Sequence, residues 1–477
     1  MLVSMADEVS GADFGDLRLS KRLEKIAEEL GNQPTHSIPG ATSGRAEMEA
    51  TYRFCDNEKV TPEKILQPHF ASTLRRIGET DFALLVQDTT ELDLTRPQEM
   101  VDGAGPMDCE SRRGAFCHPL LSFDLDGVPL GMVWKKSWAR SKIEKKLSAQ
   151  EKAKQRKHTP IEDKESVRWI EGVRASAKVA RTCPETTCVC VGDSESDIYE
   201  VFSEPCLSTQ ENLQLLVRAC QSRATKGESD WVDVVRATDC LYRCTVDVSA
   251  RTAKISEKHT GKRSKSRKAR VAEVEVRATT TTLRPSWRFD RQLPEVTVNL
   301  VLVEETKPPE DCVAIQWVLV TTLPIDQGQQ VKRIVEAYCI RWQIEIFFKT
   351  LKTGCRIEKR QFETLDRVLN CVAVYSIVAW RIMYLCRLGR VCPDLNCEVI
   401  FEPCEWKAVY MTIKKEEPPK TPPRLNEMIR MIASLGGYVI RKSTHPGPQT
   451  LWLGMQRVHS LNLAWEAFGP GSKFFST

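Results

Sequence analysis

The stretch Tyr338-Cys339-Ile340-Arg341-Trp342-Gln343-Ile344-Glu345-Ile346-Phe347-Phe348-Lys349-Thr350-Leu351-Lys352 has two faces when wound as a helix. At ~100° per residue, Tyr338, Arg341, Glu345, Lys349 and Lys352 fall within about 80° of one another, with Ile340, Ile344, Phe347 and Leu351 opposite. One side is core and the other a charged surface. An ordinary amphipathic helix, with Arg341 and Glu345 as an i,i+4 ion pair, accounts for that much. Two other carboxylates upstream raise a second reading. The apolar run 82–86 leads into Gln87-Asp88-Thr89-Thr90, and the run 187–191 leads through Gly192 to Asp193. Each reads as a buried strand ending in a carboxylate. With the two strands neighbours in a sheet and the helix packed across it, Asp88, Asp193 and Glu345 meet. Three carboxylates in one pocket repel unless divalent cations neutralise them, and hard oxygen ligands suit Mg²⁺. The chemistry natural to such a site is two-metal phosphoryl transfer, which needs no protein nucleophile.

Outward from this core, residues 1–72 predict a small helical module. Leu19, Leu23, Ile26 and Leu30 share one helix face, 44–54 is a second helical stretch, and Thr61-Pro62 is an N-cap and first position for a third. With Arg18, Lys21, Arg22, Arg45 and Arg53, the module is either a DNA-binding unit or a plain bundle. Strand alternation runs through 120–134 with a turn at 124–127, and a helix over about 163–179 precedes the second carboxylate strand. From about 213 to 320 the pattern is mostly β, with strands expected at 215–217, 243–248, 271–276, 296–303 and 315–320. Helix returns near Gly328, the prolines of 414–424 make a stiff linker, and the last fifty residues are helical.

The chain has 477 residues, with 69 Lys+Arg against 64 Asp+Glu for a net charge of +5. That mild excess does not by itself point to nucleic acid. Its placement is more informative, because 135–157 holds ten basic residues against two acidic, and 257–270 seven against one. The 18 cysteines lack metal-ligand spacing and read as buried free thiols ahead of a structural zinc site. No apolar leader opens the chain and the most apolar stretch, 371–380, stops at Arg381, so the expectation is a cytoplasmic protein with no membrane partner.

Tyr338, Arg341, Glu345 and Lys352 reproduce the Y-(2)-R-(3)-E-(6)-K signature of the insertion-sequence 4 family of bacterial DDE transposases, and Tyr-Cys-Ile-Arg-Trp-Gln-Ile-Glu resembles its transposon 5 subgroup. Asp88 is similar to the family's first catalytic aspartate and Asp193, in Asp193-Ser194-Glu195-Ser196-Asp197, to its second. Ser194 and Ser196 depart from the subgroup's D-R-E-A-D run. Trp317 stands 21 residues before Tyr338 and matches the tryptophan on which the subgroup stacks a flipped base; a sheet-core tryptophan is the alternative. Phe348 stands where the subgroup commonly has a histidine. Phe14-Gly15-Asp16-Leu17-Arg18, Ser37-Ile38-Pro39-Gly40-Ala41 and Tyr52-Arg53-Phe54 resemble the family's end-binding domain, and Leu435-Gly436-Gly437-Tyr438 with Leu451-Trp452-Leu453-Gly454 its C-terminal domain.

The resemblance implies an α/β, ribonuclease-H-like (retroviral-integrase-like) catalytic core over 73–375 with a β-rich insertion at about 212–312. A helical DNA-end-binding domain over 1–72 and a helical dimerisation domain over 376–477 flank it. It implies cut-and-paste transposition: Mg²⁺-dependent hydrolysis at terminal inverted repeats, a hairpin intermediate, and joining of 3′-OH ends to target DNA by a homodimer in a synaptic complex. Asp88, Asp193 and Glu345 would hold two Mg²⁺ ions, with Mn²⁺ substituting, while Tyr338, Arg341, Lys349 and Lys352 would contact phosphates. Lys262, Arg263, Lys265, Arg267 and Lys268 are candidate DNA contacts, with a solvated loop as the alternative. The resemblance also implies bacterial origin and nucleoid association when bound. A nuclease without strand transfer and a catalytically silent DNA-binding regulator are the competing functions.

Overall fold

The computed structural model describes residues 4–96, 100–109, 111–141, 148, 150–151, 155, 158–227, 229–248, 269–310, 314–441 and 444–469. Lys262, Arg263, Lys265, Arg267 and Lys268, the candidate DNA contacts, and most of 142–157 lie outside them. The chain forms two compact units, 1–146 with 342–477, and 147–341.

The first unit opens with five helices: α1 (Met5–Val9), α2 (Leu17–Asn32), α3 (Ile38–Ala41), α4 (Arg45–Cys55) and α5 (Pro62–Gly78). Side-chain caps start several of them: Asp16 accepts from the Arg18 amide, Ser37 from Gly40, and Thr61 from Lys64 ahead of Pro62. Leu23, Ile26 and Leu30 bury one stripe of α2. Helix α1 leaves no mark in the apolar pattern, because its key residue is a glutamate. Glu8 is buried, accepts from His69 Nδ1 at 2.6 Å, and takes Arg76 Nη2 at 2.8 Å. His69 is fully buried, and its Nε2 accepts the Met132 amide at 2.9 Å.

Five antiparallel strands follow: β1 (Phe82–Gln87), β2 (Thr90–Asp93), β3 (Gly105–Pro106), β4 (Arg113–Phe123) and β5 (Pro129–Trp138). All four others pair with β4. The expected strand end at 134 is corrected: β5 continues through Lys135 and Lys136 because its backbone still pairs with Pro119 and His118 of β4.

The second unit carries α6 (Val167–Thr182), β6 (Thr187–Gly192), α7 (Tyr199–Phe202), α8 (Cys206–Thr209), β7 (Leu213–Arg218), α9 (Trp231–Arg236), β8 (Tyr242–Val248), β9 (Arg270–Leu283), β10 (Val296–Glu305), β11 (Gln316–Thr321) and α10 (Gly328–Ile340). Strands β6 and β7 are parallel; β7, β11, β10, β9 and β8 then pair antiparallel in that order. Strand β9 outruns the expected end at 276, since Thr279 to Thr282 are β-branched and pair along β10. Trp169, Trp231, Tyr199 and Phe202 fill the core between these helices and the sheet.

The chain returns to the first unit with α11 (Gln343–Lys349), a π-helical turn (Thr350–Gly354), α12 (Leu365–Val391), α13 (Pro403–Lys414), α14 (Leu425–Leu435) and α15 (Pro448–Phe468). Helix α12 is long and apolar enough to cross a bilayer, but 83% of its most apolar window is buried in the protein, which makes it a core helix. Gly354 lies against Trp452 of α15, and a Cβ there would stand 2.9 Å from the indole. Trp452 is 3% exposed and has nowhere to move. Gly354→Ala is therefore expected to cost about 1–3 kcal/mol of stability, checked by denaturant unfolding.

Candidate catalytic site

Asp88 immediately follows β1, whose residues from Ala83 onward are buried. Its Oδ1 accepts the Thr89 amide at 2.7 Å. Thr89 Oγ1 in turn lies 2.8 Å from His118 Nδ1, and His118 Nε2 lies 3.0 Å from Gln87 Oε1. A fully buried imidazole on β4 thus clamps the residues on both sides of Asp88. Sequence reasoning misses His118, since a lone histidine in a strand carries no spacing signal.

Asp193 immediately follows β6, also buried to its end. Its Oδ1 caps a 3₁₀ turn by accepting the Glu195 amide at 2.8 Å. Asp197 braces the same segment: it accepts the Cys220 and Gln221 amides at 2.7 Å and pairs with Arg223. Gly192 is required here, because a Cβ would come within 2.2 Å of Ser196 Oγ.

The helix expected over 338–352 is not continuous. Helix α10 ends at Ile340 and α11 begins at Gln343, with Arg341 in the second unit and Trp342 in the first. Periodicity puts Tyr338 on the charged face, but it is buried, its ring centroid 6.1 Å from that of Trp317 and 5.9 Å from the Arg341 guanidinium. Burial pushes the Tyr338 phenol up; Arg341 and Arg218 pull it back and Asp193 adds to the rise, leaving it above its ordinary value. Asp193, Trp317, Tyr338 and Arg341 therefore lie close together in the second unit. Arg218 joins them from the end of β7, next to β6, and sequence reasoning misses it as well. Its only signal is a cation closing a buried strand.

In the first unit, Ile344, Phe347 and Leu351 are buried and Glu345 half-buried, as the two-faced pattern requires, with Lys349 exposed. Phe348 is buried too, in an apolar crevice against Thr90, Cys117 and Met132. Its aromatic ring thus serves packing. Lys352 sits in the π turn, where the Cys355 amide reaches back to the Thr350 carbonyl at 2.8 Å. Such turns shift later side chains around the helix axis and recur at functional sites.

Three carboxylates are the hard oxygen donors that Mg²⁺ takes, and two of them are held by local amide bonds at strand ends, so the residue types fit such an ion. Among the described residues no three His, Cys, Asp or Glu side chains are gathered closely enough to form a ready cage. The described cysteines are free thiols. Burial pushes Cys188, Cys355 and Cys371 up to about 12, which makes them inert packing groups.

Three family descriptions match along the chain: transposase DNA-binding over 4–60, transposase DDE domain over 148–378, and transposase Tn5 dimerisation domain over 377–464. Among solved structures, a piggyBac transposase synaptic complex with hairpin DNA aligns over 88% of this chain and 84% of its own, at 9% identity and a TM-score of 0.33. A superposition that loose adds nothing to the family matches.

Proposed function

Because this chain belongs to the Tn5-like DDE transposases, we propose that it performs cut-and-paste transposition, with Asp88, Asp193 and Glu345 as its catalytic carboxylates. The observation that carries the assignment is the pair of strand ends, β1 and β6, each delivering an aspartate held by a backbone amide. The family implies a ribonuclease-H-like core around them.

Asp88, Asp193 and Glu345 would hold Mg²⁺, or Mn²⁺ in its place. Bound there, the metal supplies a nucleophilic oxygen at neutral pH and charge neutralisation at the leaving oxygen. The chain's own groups handle the DNA. Arg341 and Tyr338 offer donors to a phosphate oxygen, and Lys349 and Lys352 offer ammonium groups near the scissile bond. Trp317, half-buried beside Tyr338, gives an aromatic surface for a base turned out of the duplex, which the hairpin step requires. The order of reaction is hydrolysis at the terminal repeats, attack of the freed 3′ hydroxyl on the opposite strand, hairpin opening, and joining to target DNA within a homodimer.

The test is incubation of terminal-repeat DNA with a target plasmid and Mg²⁺. Joined products support a transposase; nicks without joining in the presence of target would reduce the reading to a nuclease. Replacing Lys262, Arg263, Lys265, Arg267 and Lys268 with Ala is expected to weaken DNA binding and flatten its salt dependence by about 0.9 in log–log slope per lost phosphate contact. Binding titrations at several salt concentrations check this, and an unchanged slope would return the segment to a solvated loop.

A further inference from the structure

Lys352 is a long, flexible side chain in a π turn, and something has to aim it. The turn itself is fixed from several sides: Gly354 is pressed by Trp452, and the buried Arg360 guanidinium reaches the carbonyls of Pro34, His36 and Cys355. The ammonium is governed separately. Glu358 Oε1 stands 3.6 Å from Lys352 Nζ and accepts the Asp93 amide at 3.0 Å. Asp93 closes β2, the strand that starts two residues after Asp88, and its carboxylate is gripped by Arg112 at 2.9 and 3.1 Å. One carboxylate oxygen thus references the lysine to the strand leaving the first catalytic aspartate.

We propose that Glu358 is a positioning residue that holds Lys352 for its phosphate. The Lys352 and Glu358 side chains are 28% and 29% exposed. An ion pair that exposed is weak, so it orients the ammonium without preventing a DNA phosphate from taking it over. The proposal rests on the assignment of Lys352 above and adds the residue that makes it effective. Nothing in the sequence marks Glu358, which lies six residues past Lys352 in a single 3₁₀ turn.

The experiment is a double-mutant cycle on single-turnover cleavage of terminal-repeat DNA, with end binding measured alongside by gel shift. Glu358→Ala is expected to slow cleavage between about 10- and 100-fold, the effect of misplacing a reacting partner by about 1 Å, with end binding unchanged. Glu358→Gln, which keeps an acceptor for the Asp93 amide and loses the charge, is expected to fall between wild type and Glu358→Ala, and it guards against a folding defect. In a Lys352→Ala background, Glu358→Ala is expected to cost nothing further. Wild-type cleavage by Glu358→Ala, or the same loss on top of Lys352→Ala, overturns the proposal while leaving Lys352 in place. Wild-type cleavage by Lys352→Ala alone overturns the assignment of Lys352 and the proposal with it.

Discussion

Exchange of Glu345 for glutamine is expected to abolish end cleavage while leaving end binding intact. The substitution keeps the shape of a half-buried side chain on α11 and removes one charge from a set of three hard oxygen donors. Lewis-acid stabilisation by a metal is worth several kcal/mol in such reactions, and each 1.4 kcal/mol is tenfold in rate, so a fall of about a thousand-fold or more is the expected scale. We assign end binding to the N-terminal residues 4–60, which match a transposase DNA-binding description and which the substitution does not touch. A rate assay and a gel shift on the same preparation separate the two effects. Cleavage retained in this variant would remove Glu345 from the catalytic set.

The second large effect concerns stability. Glu8, His69 and Arg76 form a buried network that ties α1 to α5, with the Trp380 indole packed against both His69 and Arg76. Removing one partner of a buried pair leaves an uncompensated group, so Glu8→Ala is expected to cost about 3–5 kcal/mol in denaturant unfolding. The same network sets an acid limit. Burial pushes the Glu8 carboxyl up, but its bonds to His69 and Arg76 outweigh that and hold it below its ordinary 4.5. Burial drives His69 below its ordinary 6.5, against the pull of Glu8. As pH falls below 6.5 the unfolded chain takes up the imidazole proton before the native one does, and stability drops. Below 4.5 the unfolded chain also protonates Glu8 first, and the loss continues down to the native value. The unfolding midpoint should fall steadily on acidification from pH 7 to 4. A midpoint flat across that range would mean the network is not titrating as described.

Much of the site's composition is legible in the amino-acid sequence, for a physical reason: strands buried on both faces are written as unbroken apolar runs, and a carboxylate at the end of such a run stands out. Asp88 and Asp193 are visible in this way, and the two-faced 338–352 pattern exposes Glu345. The helix break at Arg341 and Trp342 is not visible, because both residues keep helical dihedrals and only the hydrogen-bond ladder changes. Tyr338 misleads for a related reason. Periodicity assigns an amphipathic residue to the polar side, whereas packing against Trp317 buries it. His118, Arg218 and Glu358 act on parts of the chain distant in sequence, and single-sequence patterns carry no information on such pairs. Glu8 lies hidden in an acidic opening segment because its partners come 61 and 68 residues later.

The most direct test of the central claim is cleavage of a DNA fragment carrying the gene with its native flanks, with and without Mg²⁺, resolved on a denaturing gel. Metal-dependent nicks and hairpins at inverted repeats in those flanks, absent with Glu345→Gln, are the predicted result. Specific binding of those repeats with no cleavage under any divalent ion would contradict it and leave a DNA-binding regulator.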